Sequence, residues 1–381
     1  MLINKIKNKI DNLTNQHDDT FFYYDQQSLY QQIALLKSTL PDSAELYYSL
    51  KANSNDQLIN LISKRIHHFD VASLGELLLL INKNIAPKNI HFTGPGKKPS
   101  EIKRALELNI GEIVVESREE LEFIYHNLSG SLTKVLLRIN FSNSGNYFGI
   151  AETEICDILK DNKFQNLIVG FHYHYKSQYD TADKLIKHFQ RGLNHFFELK
   201  KVFPENCMIL NFGSGFSIPY FENDQAMQLD VIKEKLQLLL KSYPVDYVKI
   251  QFESGRYITA QSGYYCCKIL YTKKINDRNI LVVDGGMYHF MAATGMGQLI
   301  RKHFPISVIH KNNFSKINTR YTIIGNTCSE LDIFADEIIL PEVQAGDWIV
   351  IENAGAYSLQ YSPNHFILHK SALEFFEIED N

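Results

Sequence analysis

The chain has 381 residues, of which 45% are hydrophobic and 22% are charged, and its formal net charge is −4. This length predicts two domains, or one large barrel with a smaller partner, and the composition is typical of a globular protein with a large core. The small negative charge gives no electrostatic case for nucleic-acid binding. No segment reaches the roughly 20 consecutive apolar residues that a membrane-spanning helix needs.

The N-terminal segment carries apolar side chains at positions 2, 3, 6, 10 and 13, with lysines between them. This spacing predicts an amphipathic helix and differs from the continuous apolar run of a signal peptide. Its apolar face could meet a membrane, a partner or the rest of the chain, and we expect the last. The strand FFYYD (21–25) follows, and we expect it to pair with the sheet formed later in the chain.

Short apolar strands alternate with helical segments from residue 46 to about 257. Eight strands, each followed by a helix, predict a (β/α)₈ TIM barrel, which we place at residues 28–258. The predicted strands are LYYSL (46–50), HHFDVAS (67–73), NIHFTG (89–94), EIVVES (112–117), KVLLRIN (134–140), LIVGFHYH (167–174), MILNFG (208–213) and VKIQFES (248–254).

Strand-like segments without regular helices between them follow Arg256. They predict a mostly antiparallel β-domain made of residues 1–27 and 259–381. The predicted strands are YYCCKILYTKKI (264–275), NILVVDGG (279–286), RYTIIGN (320–326), EIILPEV (337–343), DWIVIENAG (347–355) and FILHK (366–370).

The cysteines are few and scattered, at positions 156, 207, 266, 267 and 328. An odd number without Cys-x-x-Cys spacing argues against a disulfide framework and against a zinc site. We therefore expect a reducing, cytoplasmic compartment and no metal in the functional site.

Polar side chains stand where several predicted barrel strands end, which is the catalytic face of such a barrel. Each has an ordinary interpretation alone, as a solvated lysine, a core histidine, a glycine turn or a local ion pair. Their common position favours one shared site. The residues are Lys51 after the first strand, Asp70 in the second, His174 and Ser177 after the sixth, Gly213, Ser214 and Gly215 after the seventh, and Glu253 and Arg256 at the eighth.

The combined chemistry fits a phosphate-bearing aldehyde cofactor. The turn 213–215 lets backbone N–H groups approach a phosphate, and Arg256 adds charge-assisted hydrogen bonds. A partly desolvated Lys51 can form a Schiff base with an aldehyde. Glu253 would hold a proton on a pyridine nitrogen, and His174 would stack on the ring. These parts predict pyridoxal 5′-phosphate.

Several motifs resemble those of the fold type III PLP-dependent decarboxylases, the superfamily of ornithine, diaminopimelate and arginine decarboxylases. The resemblance covers essentially the whole chain and implies an alanine-racemase-like barrel and α-decarboxylation of an amino acid, releasing CO₂ and an amine. The matching segments are YSLKAN, FDVASLGEL, FHYHYKSQ, NFGSGF, ESGR, VVDGGM, GNTCSELD and ENAGAYS.

This resemblance also implies residue roles and a homodimer with shared active sites. It places His174 against the ring, Ser177 near the phosphate and Tyr357 on the phosphate. Asp70 is a further cofactor contact. Cys328 would enter from the other subunit and protonate the carbanion left when CO₂ departs. The thiol alone would suggest a buried structural cysteine.

Four positions depart from the family pattern. Lys176 stands where the family usually has Gly, Asn211 where it has Asp, Ser254 where it has Pro, and Asn326 where it often has Pro. None of these changes removes a reacting group, so they affect local geometry and not the predicted reaction.

The substrate-facing segments lack the expected counter-ions. Ser329 follows Cys328 where ornithine decarboxylases have Asp, and DGGMYHFMAATGMGQLIRKHFPI lacks the Arg-Pro of diaminopimelate decarboxylases. A buried site without a counter-ion rejects a charged substrate end. The stretch is similar to a subgroup acting on unusual or carrier-bound amino acids, so we expect a small-molecule or carrier-bound amino acid. Candidate substrate contacts are Ser329, Glu330 and Tyr361.

Two alternatives stay open at this point. One is an amino-acid racemase of the same fold, although racemases of the alanine type place Arg against the ring nitrogen, where this chain has Glu253. The other is a non-catalytic PLP-binding regulatory homologue, against which Lys51 and Cys328 both speak.

Overall fold

The computed structural model describes residues 4–141, 147–202, 208–221, 224–294, 302–311 and 317–377. Cys207 and the apolar positions 2 and 3 lie outside these ranges. The chain divides into two compact units. The barrel unit comprises Ile33–Ser217 and Met227–Gly255, and the β-unit comprises Met1–Gln32, Ile218–Ala226 and Arg256–Asn381. Among the described helices, none combines the length and apolar character needed to cross a membrane.

The elements follow one another in this order. The strands are β1 Phe21–Asp25, β2 Glu45–Ser49, β3 His68–Val71, β4 Ile90–Phe92, β5 Glu112–Val115, β6 Lys134–Asn140, β7 Ile150–Ala151, β8 Ile168–His172, β9 Ile209–Asn211, β10 Lys249–Ser254, β11 Gly263–Ile275, β12 Arg278–Val283, β13 Ile306–Ile309, β14 Asn318–Ile324, β15 Ile333–Pro341, β16 Trp348–Ile351 and β17 Leu373–Glu377. The helices are α1 Asn4–Gln16, α2 Gln26–Thr39, α3 Asp56–Ser63, α4 Leu74–Asn82, α5 Pro99–Glu107, α6 Arg118–Asn127, α7 Glu152–Lys160, α8 Ala182–Val202, α9 Leu229–Lys241, α10 Arg256–Thr259 and α11 Met287–Phe290.

The barrel unit is a closed ring of parallel strands. The hydrogen-bonded order is β5-β4-β3-β2-β10-β9-β8-β6, and pairing of β5 with β6 closes it. Each of the eight predicted strands is present, so the TIM-barrel prediction is confirmed. The strands form where the sequence has short apolar runs, because a parallel strand between helices is buried on both faces. β5, for example, is buried at every position.

Side-chain caps begin several barrel helices directly after the strands. Asn55 accepts hydrogen bonds from two backbone N–H groups at the start of α3, and Ser73 and Ser117 cap α4 and α6. Such caps satisfy N–H groups that have no partner inside the helix. They also end the loops within a few residues of the strands, so side chains in these loops stay close to the strand ends.

The β-unit contains a curved sheet in the order β13-β16-β11-β12-β14-β15, with β1 paired to both β11 and β17. Among the described strands of this sheet, the pairings are antiparallel except β12 with β14 and β1 with β17. This confirms the prediction of a mostly antiparallel β-domain. It also confirms that FFYYD pairs with the later sheet.

One predicted strand of the β-unit is wrong. The segment FILHK forms a short 3₁₀ turn at Phe366–Leu368. Ile367 and Leu368 have φ angles of 47° and 61°, in the left-handed region that a strand does not use. The strands β13 and β17 were not predicted from the sequence.

The N-terminal helix α1 packs on its own unit. Ile6 and Ile10 are buried in a cluster with Phe21 and Trp348, and Leu13 packs against its edge. The apolar face of the amphipathic pattern is therefore covered by the β-unit, which confirms the expectation that the helix docks on the rest of the chain.

Candidate active site

Lys51 lies in a 3₁₀ turn, Leu50–Ala52, directly after β2. The end of β10 packs closely against this turn. A Cβ atom on Gly255 would lie 2.6 Å from the Cβ of Ala52 and 2.8 Å from the carbonyl oxygen of Ser49. Only glycine permits this approach, so the glycine of the ESGR segment fixes the lysine turn against the neighbouring strand.

Asp70, at the end of β3, holds the amine of Lys51. Its Oδ2 lies 2.9 Å from Lys51 Nζ, and the hydroxyl of Thr93 donates to Oδ1 at 2.6 Å. Burial alone would raise the pKa of this fully buried carboxyl, but Lys51, His91 and the Thr93 hydrogen bond outweigh it and hold the pKa well below its ordinary value. Asp70 is therefore an anion that stabilises the Lys51 ammonium.

Glu253 is a second buried carboxyl, on β10. Its Oε1 lies 3.1 Å from Nε2 of His172 and 3.0 Å from Nδ2 of Asn211. Burial first, and repulsion from Asp70 second, raise the pKa of Glu253 to about 7. The site thus contains two carboxyl groups whose pKa values are driven in opposite directions, which is typical of catalytic centres.

The glycine-rich turn after β9 packs on the ring of His174. Gly213 has a φ of 63°, and a Cβ atom there would lie 2.6 Å from His174 Nδ1. The N–H of Ser214 donates to the same Nδ1 at 3.2 Å. Burial and then Arg138 lower the pKa of His174 well below its ordinary value. The imidazole is therefore neutral and carries its proton on Nε2.

Other predicted barrel positions lie on the loop after β8. Lys176 and Ser177 are exposed, and the next residue, Gln178, pairs with Gly215 as an isolated parallel bridge. The loop is thereby held next to the glycine-rich turn. Of the departures from the family pattern, Asn211 and Ser254 are buried.

Arg138 and Thr93 are site residues that the sequence analysis missed. Arg138 is nearly buried near the end of β6, forms an ion pair with Glu116 and lies 4.9 Å from the ring centre of Phe148. The backbone N–H of Gly149 donates to the same carboxylate. The signal was a charged residue inside the apolar run KVLLRIN, at the end of the strand where catalytic groups stand.

Within the β-unit, the structure brings Arg256 and Tyr357 together. The guanidinium carbon of Arg256 lies 4.5 Å from the ring centre of Tyr357 and 5.2 Å from that of Tyr220. Tyr357 has a φ of 52°, and its ring contacts that of the exposed Tyr361. A positive φ in a tyrosine is uncommon and marks a turn with a defined geometry.

Cys328 lies in the loop between β14 and β15. Cys328 and Glu330 are exposed, and Ser329 is half-buried. Asn326, a departure from the family pattern, donates to Oδ1 of Asp284 at 3.4 Å. The three candidate groups 328–330 are thus presented together on one surface loop.

Asp332 anchors this loop and was also missed. Its buried carboxylate accepts hydrogen bonds from the Thr327 hydroxyl at 2.6 Å and from the Met287 N–H at 2.7 Å. A Cβ atom on Gly325 would lie 2.2 Å from Asp332 Oδ2, so the loop approaches the carboxylate more closely than any side chain would allow. Burial raises the pKa of Asp332.

Comparison with known protein families identifies the class of protein that contains this arrangement. The family described as pyridoxal-dependent decarboxylase, pyridoxal binding domain, matches residues 26–260. The chain belongs to the pyridoxal-dependent decarboxylases. The match includes every candidate residue of the barrel unit and extends through Arg256.

Curated relatives of this decarboxylase cover nearly its whole length. L-glutamyl-[BtrI acyl-carrier protein] decarboxylase of Niallia circulans is 29% identical over 95% of this chain and 89% of its own. The 2-[(L-alanin-3-ylcarbamoyl)methyl]-2-hydroxybutanedioate decarboxylase of Staphylococcus aureus is 28% identical over 93% and 92%. Diaminopimelate decarboxylase of Helicobacter pylori is 30% identical over 91% and 87%.

Solved structures agree with the fold of the decarboxylase. Helicobacter pylori diaminopimelate decarboxylase complexed with L-lysine superposes with a TM-score of 0.85 at 26% identity, covering 97% of this chain and 94% of that one. Lysine/ornithine decarboxylase of Vibrio vulnificus has a TM-score of 0.87 at 21% identity over the full length of both chains. The second likeness concerns the fold alone.

The decarboxylase is therefore a PLP-dependent amino-acid carboxy-lyase, which confirms the predicted enzyme class and cofactor. The residues of the barrel unit fit that cofactor. Glu253 is a buried carboxyl with a raised pKa, and the Lys51 side chain is 42% exposed and accessible to an aldehyde.

Proposed function

We propose that this enzyme α-decarboxylates an unusual amino acid that is conjugated or bound to a carrier. The observation that carries the substrate class is Ser329, a half-buried neutral hydroxyl where ornithine decarboxylases have a carboxylate. Two of its relatives are named for a carrier-bound glutamyl group and for a conjugated amino acid, which supports the same class. A site without a fixed counter-ion suits a substrate whose distal end is neutral or tethered.

The barrel unit supplies the groups that handle the cofactor. When bound, pyridoxal phosphate acts as an electron sink for the pair released with CO₂. Lys51 provides the amine that binds the aldehyde, and Asp70 stabilises that amine as an ammonium when it is released. Glu253 holds a proton at the ring nitrogen. His174 is neutral, so it can lie against the ring without opposing a protonated pyridine.

The phosphate is held by backbone and side-chain donors. The N–H groups of Gly213 and Ser214 already donate to Asn211 and His174, so within the turn 213–215 we propose Gly215, with a φ of 146°, as the backbone contact of the phosphate. Ser177 adds a hydroxyl beside this turn. Arg256 and Tyr357, which lie together in the β-unit, are proposed as further phosphate ligands.

Cys328 is proposed as the acid that protonates Cα after CO₂ leaves, acting from the second subunit of a homodimer. The support is its exposure in the isolated chain, together with the exposure of apolar side chains in the same unit. Leu331, Tyr361 and Leu368 are 50%, 59% and 91% exposed. Exposed apolar groups of this kind mark surfaces that a partner covers.

The substrate class is tested by measuring CO₂ release from a panel of free, conjugated and carrier-bound α-amino acids. We expect kcat/KM for a conjugated or carrier-bound member to exceed that for free ornithine or diaminopimelate at least about tenfold, the discrimination a single unpaired polar contact gives. Faster turnover of either free diamino acid would refute the substrate class.

The lysine assignment is tested by borohydride reduction. The wild-type protein should retain the cofactor covalently on the peptide that contains Lys51, and Lys51→Ala should lose both this adduct and the long-wavelength absorbance. Lys249→Ala, which changes a lysine at the other end of β10, serves as the control and should keep both. A covalent adduct in Lys51→Ala protein would show that another amine binds the aldehyde.

Shared active sites are tested by mixing two inactive variants. Lys51→Ala and Cys328→Ala subunits should regain part of the wild-type activity when combined, because one of the two sites in a mixed dimer is then intact. Activity that stays at the level of the separate variants would place Cys328 in the same subunit as Lys51.

A further inference from the structure

Asn211 connects the two ends of the candidate cofactor site. It is the last residue of β9 and is fully buried. Its Oδ1 accepts the N–H of Gly213 at 2.7 Å. Because a backbone N–H can only donate, this bond fixes the orientation of the amide. Its Nδ2 therefore faces Glu253, with 3.0 Å between Nδ2 and Oε1.

Oε1 of Glu253 has two polar neighbours, the donor Nδ2 of Asn211 and Nε2 of His172. Burial lowers the pKa of His172 well below its ordinary value, so this ring is neutral, and its Nε2 lies 3.1 Å from Oε1. Because both neighbours lie at Oε1, they restrict the orientation of the carboxyl. N–H donors also favour the ionised form of a carboxyl.

Other charged and titratable groups also act on Glu253, and most come from neighbouring strands. Repulsion from Asp70 favours the protonated carboxyl, whereas attraction by cationic groups favours the ionised one. The groups that face it are Asp70 on β3, His91 on β4, Lys51 after β2, Arg138 on β6 and His172 on β8. Asn211 differs from these groups because it does not titrate and its bond to the Gly213 N–H fixes it as a donor to Glu253.

We propose that Asn211 is a positioning residue that orients the Glu253 carboxyl for the ring nitrogen while holding the phosphate-binding turn through Gly213. This inference rests on the proposed role of Glu253 as the partner of the ring nitrogen. The amide nitrogen of Asn211 then orients Glu253 for the ring nitrogen, whereas its amide oxygen holds the turn at Gly213.

The decisive variant is Asn211→Asp, which replaces only the amide nitrogen with an oxygen. An aspartate oxygen still accepts the N–H of Gly213, but the donor to Glu253 is lost and a second acidic group stands beside it. Repulsion between the two carboxyls raises the pKa of Glu253 further and disfavours the ionised form that would accept a proton from the ring nitrogen. The measurement is the dissociation constant of the cofactor-free protein for pyridoxal phosphate and for its 1-deaza analogue, in which a C–H replaces the ring nitrogen.

The wild-type protein should bind pyridoxal phosphate more tightly than the 1-deaza analogue. In Asn211→Asp, the ratio of the two dissociation constants should shrink about tenfold, which is the effect of one hydrogen bond to a charged group. The affinity of this variant for the analogue should stay within about twofold of wild type, because the turn at Gly213 is kept. Asn211→Ser removes the donor without adding an acid, so it should lose preference in the same direction if Asn211→Asp does not fold.

Two comparison variants separate the possible failures. Thr133→Val removes a buried hydroxyl that accepts a hydrogen bond from Ser131 at 3.1 Å, so it disturbs the barrel unit away from Asn211 and should leave the preference unchanged. If Glu253→Gln loses the preference while both Asn211 variants keep it, the role of Asn211 is wrong and that of Glu253 stands. If Glu253→Gln also keeps it, the proposed role of Glu253 is wrong.

Discussion

The barrel unit and the β-unit hold their candidate groups in different ways. In the barrel unit, Asp70, Asn211 and Glu253 are buried at strand ends, and each makes at least two hydrogen bonds to neighbouring strands or loops. In the β-unit, Cys328 and Tyr361 are exposed on loops. The proposed cofactor-binding groups of the barrel unit are thus held in place by hydrogen bonds within one chain.

Cofactor binding and substrate selection place different demands on the fold. A buried, hydrogen-bonded group is preorganised, which favours binding of one defined cofactor. A group on an exposed loop can change without disturbing a core, which suits residues that select the substrate. Variants in the two units should therefore fail in different ways, and each prediction below tests that separation.

The largest effect is expected for Cys328→Ser. Loss of a general acid lowers kcat by about 100-fold or more, whereas an exposed substitution leaves stability nearly unchanged. Steady-state kinetics and thermal unfolding measure the two effects. Cys156→Ser, a change at another exposed thiol, should alter neither. A large drop in the unfolding temperature of Cys328→Ser would mean that this loop contributes to stability, and it would contradict the proposed difference between the two units.

A barrel-unit variant should instead lose the cofactor. In Gly213→Ala, the new Cβ would lie 2.6 Å from Nδ1 of His174, so the turn must move. We expect the affinity for pyridoxal phosphate to fall roughly 100-fold, because overpacking commonly costs about 1–3 kcal/mol in addition to backbone strain. Gly130→Ala is the matched control, since Gly130 has a φ of 80° with no atom within 4 Å of its Cβ position. Equal losses in both variants would indicate backbone strain alone.

Asp332→Asn tests whether the β-unit loop is itself preorganised. An amide in place of the carboxylate turns a donor towards the Met287 N–H or the Thr327 hydroxyl, which should lower the free energy of unfolding by about 1–3 kcal/mol. The value of kcat should fall with it, because Cys328 is four residues away on the same loop. Asp336→Asn, at a partly exposed carboxylate bonded to Thr322, is the control. Unchanged kcat would show that the anchor does not position Cys328.

The smallest effect concerns the pH dependence of stability. The pKa of Glu253 is about 7 in the folded protein against about 4.3 when unfolded, so between these values the folded state holds a proton that the unfolded state releases. Stability of the cofactor-free protein therefore falls as pH rises through this window, by up to about 1.4 kcal/mol per pH unit.

Glu253→Gln removes this dependence, so its stability relative to wild type should increase from pH 5 to pH 7. Urea denaturation at both pH values measures the difference, and Glu198→Gln, at an exposed glutamate, provides the control. Parallel pH profiles for wild type and Glu253→Gln would show that the folded pKa of this group is not raised.

The sequence predicted the barrel well because its signal is local. Each of the eight strands is a short apolar run, and Lys51 and Glu253 stand out as polar residues at the ends of such runs. The FILHK segment has the same composition, but its left-handed residues Ile367 and Leu368 end any strand, and composition does not show a φ angle.

The contact between Asn211 and Glu253, and the role of the missed residue Asp332, depend on relations that sequence spacing does not encode. Asn211 and Glu253 are 42 residues apart, and they meet only because β9 and β10 are adjacent in the closed ring. Asp332 looked like an ordinary acidic residue after the cysteine motif, since its role depends on Met287, from a separate segment. Sequence patterns predicted the candidate reacting groups, and the strand order shows which residues hold them in place.

The position of β1 has a consequence for how the molecule is made. This strand lies between β11 and β17, and Tyr23 donates a hydrogen bond to Glu377, 354 residues further along the chain. During synthesis on the ribosome, the first strand emerges long before its neighbours exist, whereas most barrel strands pair with a strand close to them in the chain, the pair of β2 and β10 being the exception. Because distant pairings form slowly and unpaired strand edges aggregate, the newly made N-terminal segment needs protection, by α1 or by a chaperone, until translation is nearly complete.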